Sequence, residues 1–189
     1  MKDINYSAYF WQNDLVRLRS IENDDWEIHY YNRFDTPGRR FVDCLVELPP
    51  TEKEAVEFVE KFKDFPVDCS RVMFTIENLD GENVGAVNLN SIDERNGTFS
   101  IGMLIDRDHR SKGYGTAAMK LVFEYAFFER RLNKYYGSVM NGNIGSATML
   151  EKCGCVKEGV RRQMFYTAGK YHDMILYGMT STEFADVCR

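Results

Sequence analysis

Gly113 and Gly115 stand one residue apart in Arg110-Ser-Lys-Gly-Tyr-Gly-Thr116, between an apolar run ending at Ile105 and a segment whose Leu121, Val122 and Tyr125 recur at helical spacing. Glycines there open φ values closed to residues with a Cβ, so successive backbone N–H groups can converge where a helix N-terminus adds partial positive charge. Arg110 and Lys112 add formal charge. A strand, such a loop and a helix form a cradle for a phosphate or pyrophosphate. The cradle is not a Walker A loop, since G-x-x-x-x-G-K-[ST] does not occur. It does not match the dinucleotide fingerprint G-x-G-x-x-G either, because Ala118 occupies the third glycine position and no acidic residue is evident at the end of a next parallel strand at the required distance. What is left is [QR]-x-x-G-x-[GA].

A second block begins at Tyr135 with YYGSVMNGNIGSATMLEKCGCVKEGV and continues through a segment with Gly169 at a turn and Asp173 beyond it. Its Asn143-x-x-Ser146, Lys152-x-Gly154, Glu158-Gly159, Gly169 and Asp173, placed after the glycine loop, are similar to the RimJ/RimL branch of the GCN5-related N-acetyltransferase (GNAT) family. The resemblance covers roughly residues 70 to 180 well and the N-terminal third more loosely. It implies an α/β fold: a single GNAT-like domain over residues 1–189, with a mixed central sheet, mostly antiparallel with one splayed parallel strand pair, flanked by helices. It implies acetyl-coenzyme A as co-substrate and no metal. The coenzyme would contact Met103, Leu104, Ile105, Arg110, Ser111, Lys112, Gly113, Tyr114, Gly115, Thr116, Asn143 and Ser146.

The implied chemistry is transfer of acetyl to an amine. A primary alkyl ammonium has a pKa of about 10.4 and an α-ammonium about 7.7 to 8.0, so the nucleophile must lose a proton. The tetrahedral oxyanion needs a fixed N–H donor, and the resemblance places one near Met103 to Ile105. Ser146 matches the serine expected to protonate the coenzyme sulfur, and Asn143 the residue expected to bond the pantetheine amides; the plain alternative for both is helix capping. No acid stands where relatives carry one, because Ser100 and Phe165 hold those positions. Asp93, Glu94 and Asp106 are nearby acids that could act through water or could be solvated strand-end charges. The branch resemblance favours a protein N-terminal α-amine as acceptor, with a polyamine, amino sugar or aminoglycoside as alternatives. A non-catalytic coenzyme-A-binding module is the reading from another class.

Composition narrows the setting. At 189 residues with 44% hydrophobic residues the chain suits one full core. Its net charge of −5 argues against non-specific nucleic-acid binding and suits an amine-bearing partner. No apolar run nears the roughly 20 residues that cross a bilayer, and Met1 to Phe10 is too polar for a signal peptide, so a cytoplasmic location is expected. Cys44, Cys69, Cys153, Cys155 and Cys188 are odd in number, which speaks against a disulfide framework, and Cys153-Gly-Cys155 lacks a second pair at zinc-site spacing. Those two thiols are expected to be buried near a helix C-cap. A homodimer is compatible with the sequence.

The elements that must position these residues follow from periodicity. Leu15 to Arg19 reads as a strand, and Asn23 or Asp24 as the cap of a helix carrying Trp26, Ile28 and Tyr30. Phe34 to Pro50 reads as an irregular connection in which Arg39 and Arg40 could meet an anionic acceptor portion or simply be solvated. Thr51-x-x-Glu54 is a capping box for a helix with Ala55, Phe58, Val59 and Phe62 on one face, ending before Pro66. Segments 71–78, 83–92 and 98–105 form an antiparallel meander turning at Asp80-Gly81 and Asn96-Gly97. A helix from Gly113 to about Arg131 then crosses over to a parallel strand, 135–140. His109 is read as a flanking cation for phosphate or an exposed spectator.

Overall fold

The computed structural model describes residues 4–65 and 71–188. A seven-stranded sheet in the order β1-β2-β3-β4-β5-β7-β6 carries the architecture. Its strands are β1 (Val16–Arg19), β2 (Val72–Asn78), β3 (Asn83–Asp93), β4 (Thr98–Ile105), β5 (Lys134–Met140), β6 (Val156–Thr167) and β7 (Lys170–Thr180). Its helices are α1 (Trp26–Asn32), α2 (Thr36–Asp43), α3 (Glu52–Phe62), α4 (Tyr114–Glu124), α5 (Ile144–Lys152) and α6 (Ser181–Val187). This is the expected α/β fold with a mixed sheet; β4 and β5 are its parallel pair.

The meander forms because Gly81 and Gly97 take positive φ at the two tight turns. Strand alternation sends Phe99, Ile101, Met103 and Ile105 toward α4, whose Ala117, Ala118, Leu121, Val122 and Phe123 complete the main core. The opposite face carries a second cluster, where Ile21, Val59 and Met73 pack with Trp26, Phe58 and Phe62 from α1 and α3. The capping box of α3 is formed as read, with Glu54 N–H donating to Thr51 Oγ1 at 3.2 Å.

Three local readings are corrected. Neither Asn23 nor Asp24 caps α1: Glu22 caps a 3-10 turn over Asn23–Asp25, and Asp25 stands at the N-cap of α1. The segment read as irregular contains α2, capped by Asp35 and closed by Cys44 at φ 59. The long helix after the glycine loop is α for eleven residues and then π-helical over Tyr125–Glu129, capped by Arg130 and followed by Arg131 at φ 55. Cys153 and Cys155 are buried around the C-terminus of α5 as expected, and burial raises both thiol pKa values, to about 11 and about 12. Cys69 and Pro66 lie outside the described residues.

Candidate active site

The β4–β5 ladder consists of two pairs, Thr98 with Lys134 and Phe99 with Tyr135, and then stops. Phe99 is fully buried, with ring centroids 5.1 Å from Phe127 and 5.9 Å from Tyr135, so aromatic packing pins the strands together at this end. Beyond it, β4 pairs only with β3 and β5 only with β7. Their facing backbone groups across the opening have no sheet partners, and an extended chain bearing amides can supply them.

The loop that follows β4 turns at Ser111 (φ 64) and Gly113 (φ 90). The first helical bond of α4 runs from Ala117 N–H to the Gly113 carbonyl at 3.0 Å, which leaves the N–H groups of Tyr114, Gly115 and Thr116 ahead of the ladder. Gly113 thus takes the positive φ expected of it. Gly115 does not: it lies in the helix without positive φ, and a Cβ there would meet Met149 Sδ at 3.1 Å and Met103 Sδ and Ile105 Cγ1 at 3.4 Å. Close packing fixes Gly115. Lys112 is exposed at the rim. Arg110 turns away from the loop; its Nε donates to the Ile105 carbonyl at 3.0 Å and its Nη2 to Asp35 Oδ2 at 2.5 Å.

At the start of α5, Asn143 Oδ1 accepts from Ser146 N–H at 3.1 Å, so the capping alternative holds for that oxygen. The Ser146 hydroxyl and the Asn143 amide nitrogen have no hydrogen-bond partner among the described residues, and both side chains are half-buried. Ala147 and Met149 pack against the core, which aligns α5 beside α4.

Ser100 and Gly102 point to the face opposite α4, as β4 alternation requires. Ser100 Oγ donates to Asn90 Oδ1 at 2.5 Å; Asn90 in turn bonds Asn88, whose amide lies over Gly102. An uncharged amide and hydroxyl row thus replaces a carboxylate. The three acids considered nearby have structural partners: Asp93 accepts from Asn96 N–H at 3.0 Å, Glu94 pairs with Arg130, and Asp106 with His109. Glu158 pairs with Lys134, and Asp173 Oδ1 accepts from Gln163 N–H at 2.9 Å, holding the irregular β6 segment against β7.

Other sequence candidates also have structural occupations. His109 is neither spectator nor free cation, since it bridges Asp106 and Glu82 at 3.1 Å each. Arg39 pairs with Asp43 and Glu47, and Arg40 Nη1 donates to Thr167 Oγ1 at 2.9 Å near the β6–β7 turn. Trp11 packs on Phe74 and Tyr125, while Phe34 and Phe41 are exposed. Sequence reasoning passed over His172. It faces Phe165 across the hairpin, on the strand face shared with Leu176 and Gly178, and its buried Nε2 has no hydrogen-bond partner. Among the described residues no group of three or more His, Cys, Asp and Glu could hold a metal, and no helix is long and apolar enough to cross a membrane.

Comparison with known proteins matches residues 16–156 to the acetyltransferase (GNAT) domain family. An uncharacterized N-acetyltransferase of Bacillus subtilis, the SPbeta prophage-derived YokL, is 29% identical over 93% of this chain and 95% of its own length. A spermidine N(1)-acetyltransferase of Vibrio cholerae is 25% identical over 86% of this chain and 91% of its own. In structure, the chain superposes on a Vibrio cholerae spermidine N-acetyltransferase, solved with coenzyme A and spermine, with a TM-score of 0.79 at 22% identity, covering 92% of this chain and 99% of that one.

Proposed function

Because the chain belongs to the GNAT family and is an acetyl-coenzyme-A-dependent N-acetyltransferase, we propose that it acetylates a small aliphatic polyamine, by direct attack within a ternary complex. The observation that carries the acceptor class is the alignment with a spermidine N(1)-acetyltransferase along nearly the whole of both chains. It supports a small amine over the protein α-amine that the RimJ/RimL resemblance favoured. A net charge of −5 agrees with a polycationic acceptor.

Acetyl-coenzyme A supplies an activated thioester. The chain's part is to hold it with the unpaired inner sides of β4 and β5, the N–H groups of Tyr114 to Thr116, Lys112 and the Asn143 amide. A backbone N–H of β4 between Met103 and Ile105 donates to the developing oxyanion. The amine nitrogen bonds to the carbonyl carbon, the C–S bond breaks, and the Ser146 hydroxyl donates toward the departing sulfur. The amine's proton leaves through the polar face lined by Asn88, Asn90 and Ser100. Cys153 and Cys155 take no part, since both are buried with raised thiol pKa values.

The test is thiol release from acetyl-coenzyme A against spermidine, spermine, amino sugars, aminoglycosides and N-terminal peptides, with calorimetric coenzyme binding alongside. Release driven by spermidine or spermine is expected. Release driven by peptides alone would restore the α-amine reading, and coenzyme binding without any release would refute the polyamine assignment.

A further inference from the structure

We propose that Arg110 is a positioning residue for the acceptor, tying the coenzyme loop to α2, and is not a ligand of the coenzyme phosphates. The inference rests on the acetyltransferase reading above. Arg110 commits its Nε and Nη2 inside the protein, to the Ile105 carbonyl at the end of β4 and to Asp35 Oδ2, on a side chain that is 36% exposed. Asp35 is 6% exposed, and its other oxygen accepts from Gly38 N–H at 3.3 Å, capping α2. The fit is built around this contact: a Cβ on Gly38 would stand 2.6 Å from Arg110 Nη2 and 2.1 Å from Asp35 Oδ2. Glycine is required there by space, because its φ is not positive.

Turning the guanidinium fully toward a phosphate would pull its Nη2 off a buried carboxylate and leave that charge uncompensated, the costly way to break a buried pair. Farther along α2, Arg40 bonds Thr167 near the β6–β7 turn. Thr167 shares a strand face with Phe165 and His172, the face opposite α4. Helix α2 is thus anchored at its start to the coenzyme loop and near its middle to the hairpin, on the side where Ser100 and Gly102 face outward. Arg110 and Asp35 therefore set where α2 stands relative to the acceptor. Cationic attraction for the phosphates falls to Lys112 and the α4 N-terminus.

The test compares Asp35→Asn, Arg110→Ala and the double variant. Asparagine keeps the helix cap while removing the charge, so Asp35→Asn stays informative even if Arg110→Ala folds poorly. Expected for each is a rise of about tenfold in acceptor KM, with coenzyme Kd from calorimetry and kcat within about twofold of wild type. The double variant should be no worse than the weaker single, because both break one contact. Coenzyme Kd weakened about tenfold in Arg110→Ala, or an acceptor KM unmoved by Asp35→Asn, would overturn the proposal. Should no amine drive release in the wild-type enzyme, the acceptor reading fails, and the coenzyme Kd of Arg110→Ala still decides whether Arg110 is a phosphate ligand.

Discussion

Replacing Gly113 with alanine separates conformation from space in the coenzyme loop. Gly113 has φ 90 and ψ −9 as the residue ahead of α4, and the nearest atom to an added Cβ is Leu15 Cδ1 at 3.4 Å, an ordinary contact. Sterics thus contribute little, and the cost is that of holding an L-residue in the left-handed region, about 1–2 kcal/mol. For a chain of this size that lowers Tm by about 2–8 °C. If the loop relaxes out of shape instead, the same energy appears as about 5- to 30-fold weaker coenzyme binding. Gly113→Asn should recover most of the loss, since asparagine tolerates that region better. Gly115→Ala should cost less, because the atoms it meets include two flexible methionine ends and alanine favours a helix over glycine by about 1 kcal/mol. Scanning fluorimetry and coenzyme calorimetry on the three variants provide the comparison. A Gly113→Ala protein that melts with the wild type and binds coenzyme within about twofold would refute the reasoning.

Ser146→Ala should lower kcat with little change in coenzyme Kd, because the hydroxyl has no described structural partner to lose while the capping N–H remains; an unchanged kcat would leave Ser146 a helix residue only. Burial alone would raise the Asp25 carboxyl, but Arg19, the Glu22 N–H and Thr75 outweigh it and hold the pKa at about 2, below the ordinary 3.8. That depression contributes about 2 kcal/mol of stability, fully present above pH ~4 and lost as pH falls through about 4 to 2. Asp25→Asn should therefore flatten the acid limb of a Tm-against-pH curve, and an unaltered limb would contradict the assignment. With no unpaired carboxylate at the proposed proton exit, kcat/KM should rise with pH toward the ammonium pKa of the acceptor. A lower break that vanishes in His172→Gln would instead place that imidazole in the proton path.

The parts that were legible in the sequence are those encoded locally. Asp80-Gly81 and Asn96-Gly97 mark turns because few other residues accept the φ values observed there, and the Thr51-x-x-Glu54 box carries its own hydrogen bonds. Helix α2 was missed because Thr36-Pro37-Gly38 reads as a turn. Asp35 ahead of Pro37 is equally a helix start, and Gly38 is explained only by a guanidinium from 72 positions farther along the chain. Helix α6 follows β7 without a break, so its Thr180-x-x-Glu183 box lay hidden in strand patterning. Arg40 and Arg110 looked available for ligands because their contacts, with Thr167 and Asp35, lie far off along the chain and leave no local trace, whereas Asp43 and Asp106 stand within one helical turn of Arg39 and His109. The unpartnered nitrogen of His172 was likewise invisible, since a lone histidine in a strand carries no sign of what surrounds it.

The interruption between β4 and β5 also bears on solubility. A free strand margin ordinarily invites another polypeptide to pair with it, and proteins guard such margins with charge, proline or cover. Here the open backbone lies inside the sheet, joined at one end by the Phe99–Tyr135 pair and backed on one face by α4 and α5. A second polypeptide strand would project side chains to both faces and collide with that backing, whereas a slender arm with amides at intervals and few substituents brings far less bulk. The recess thus discriminates by the bulk of its guest: the coenzyme tail proposed for it would take the open hydrogen bonds, while a polypeptide finds no template for aggregation.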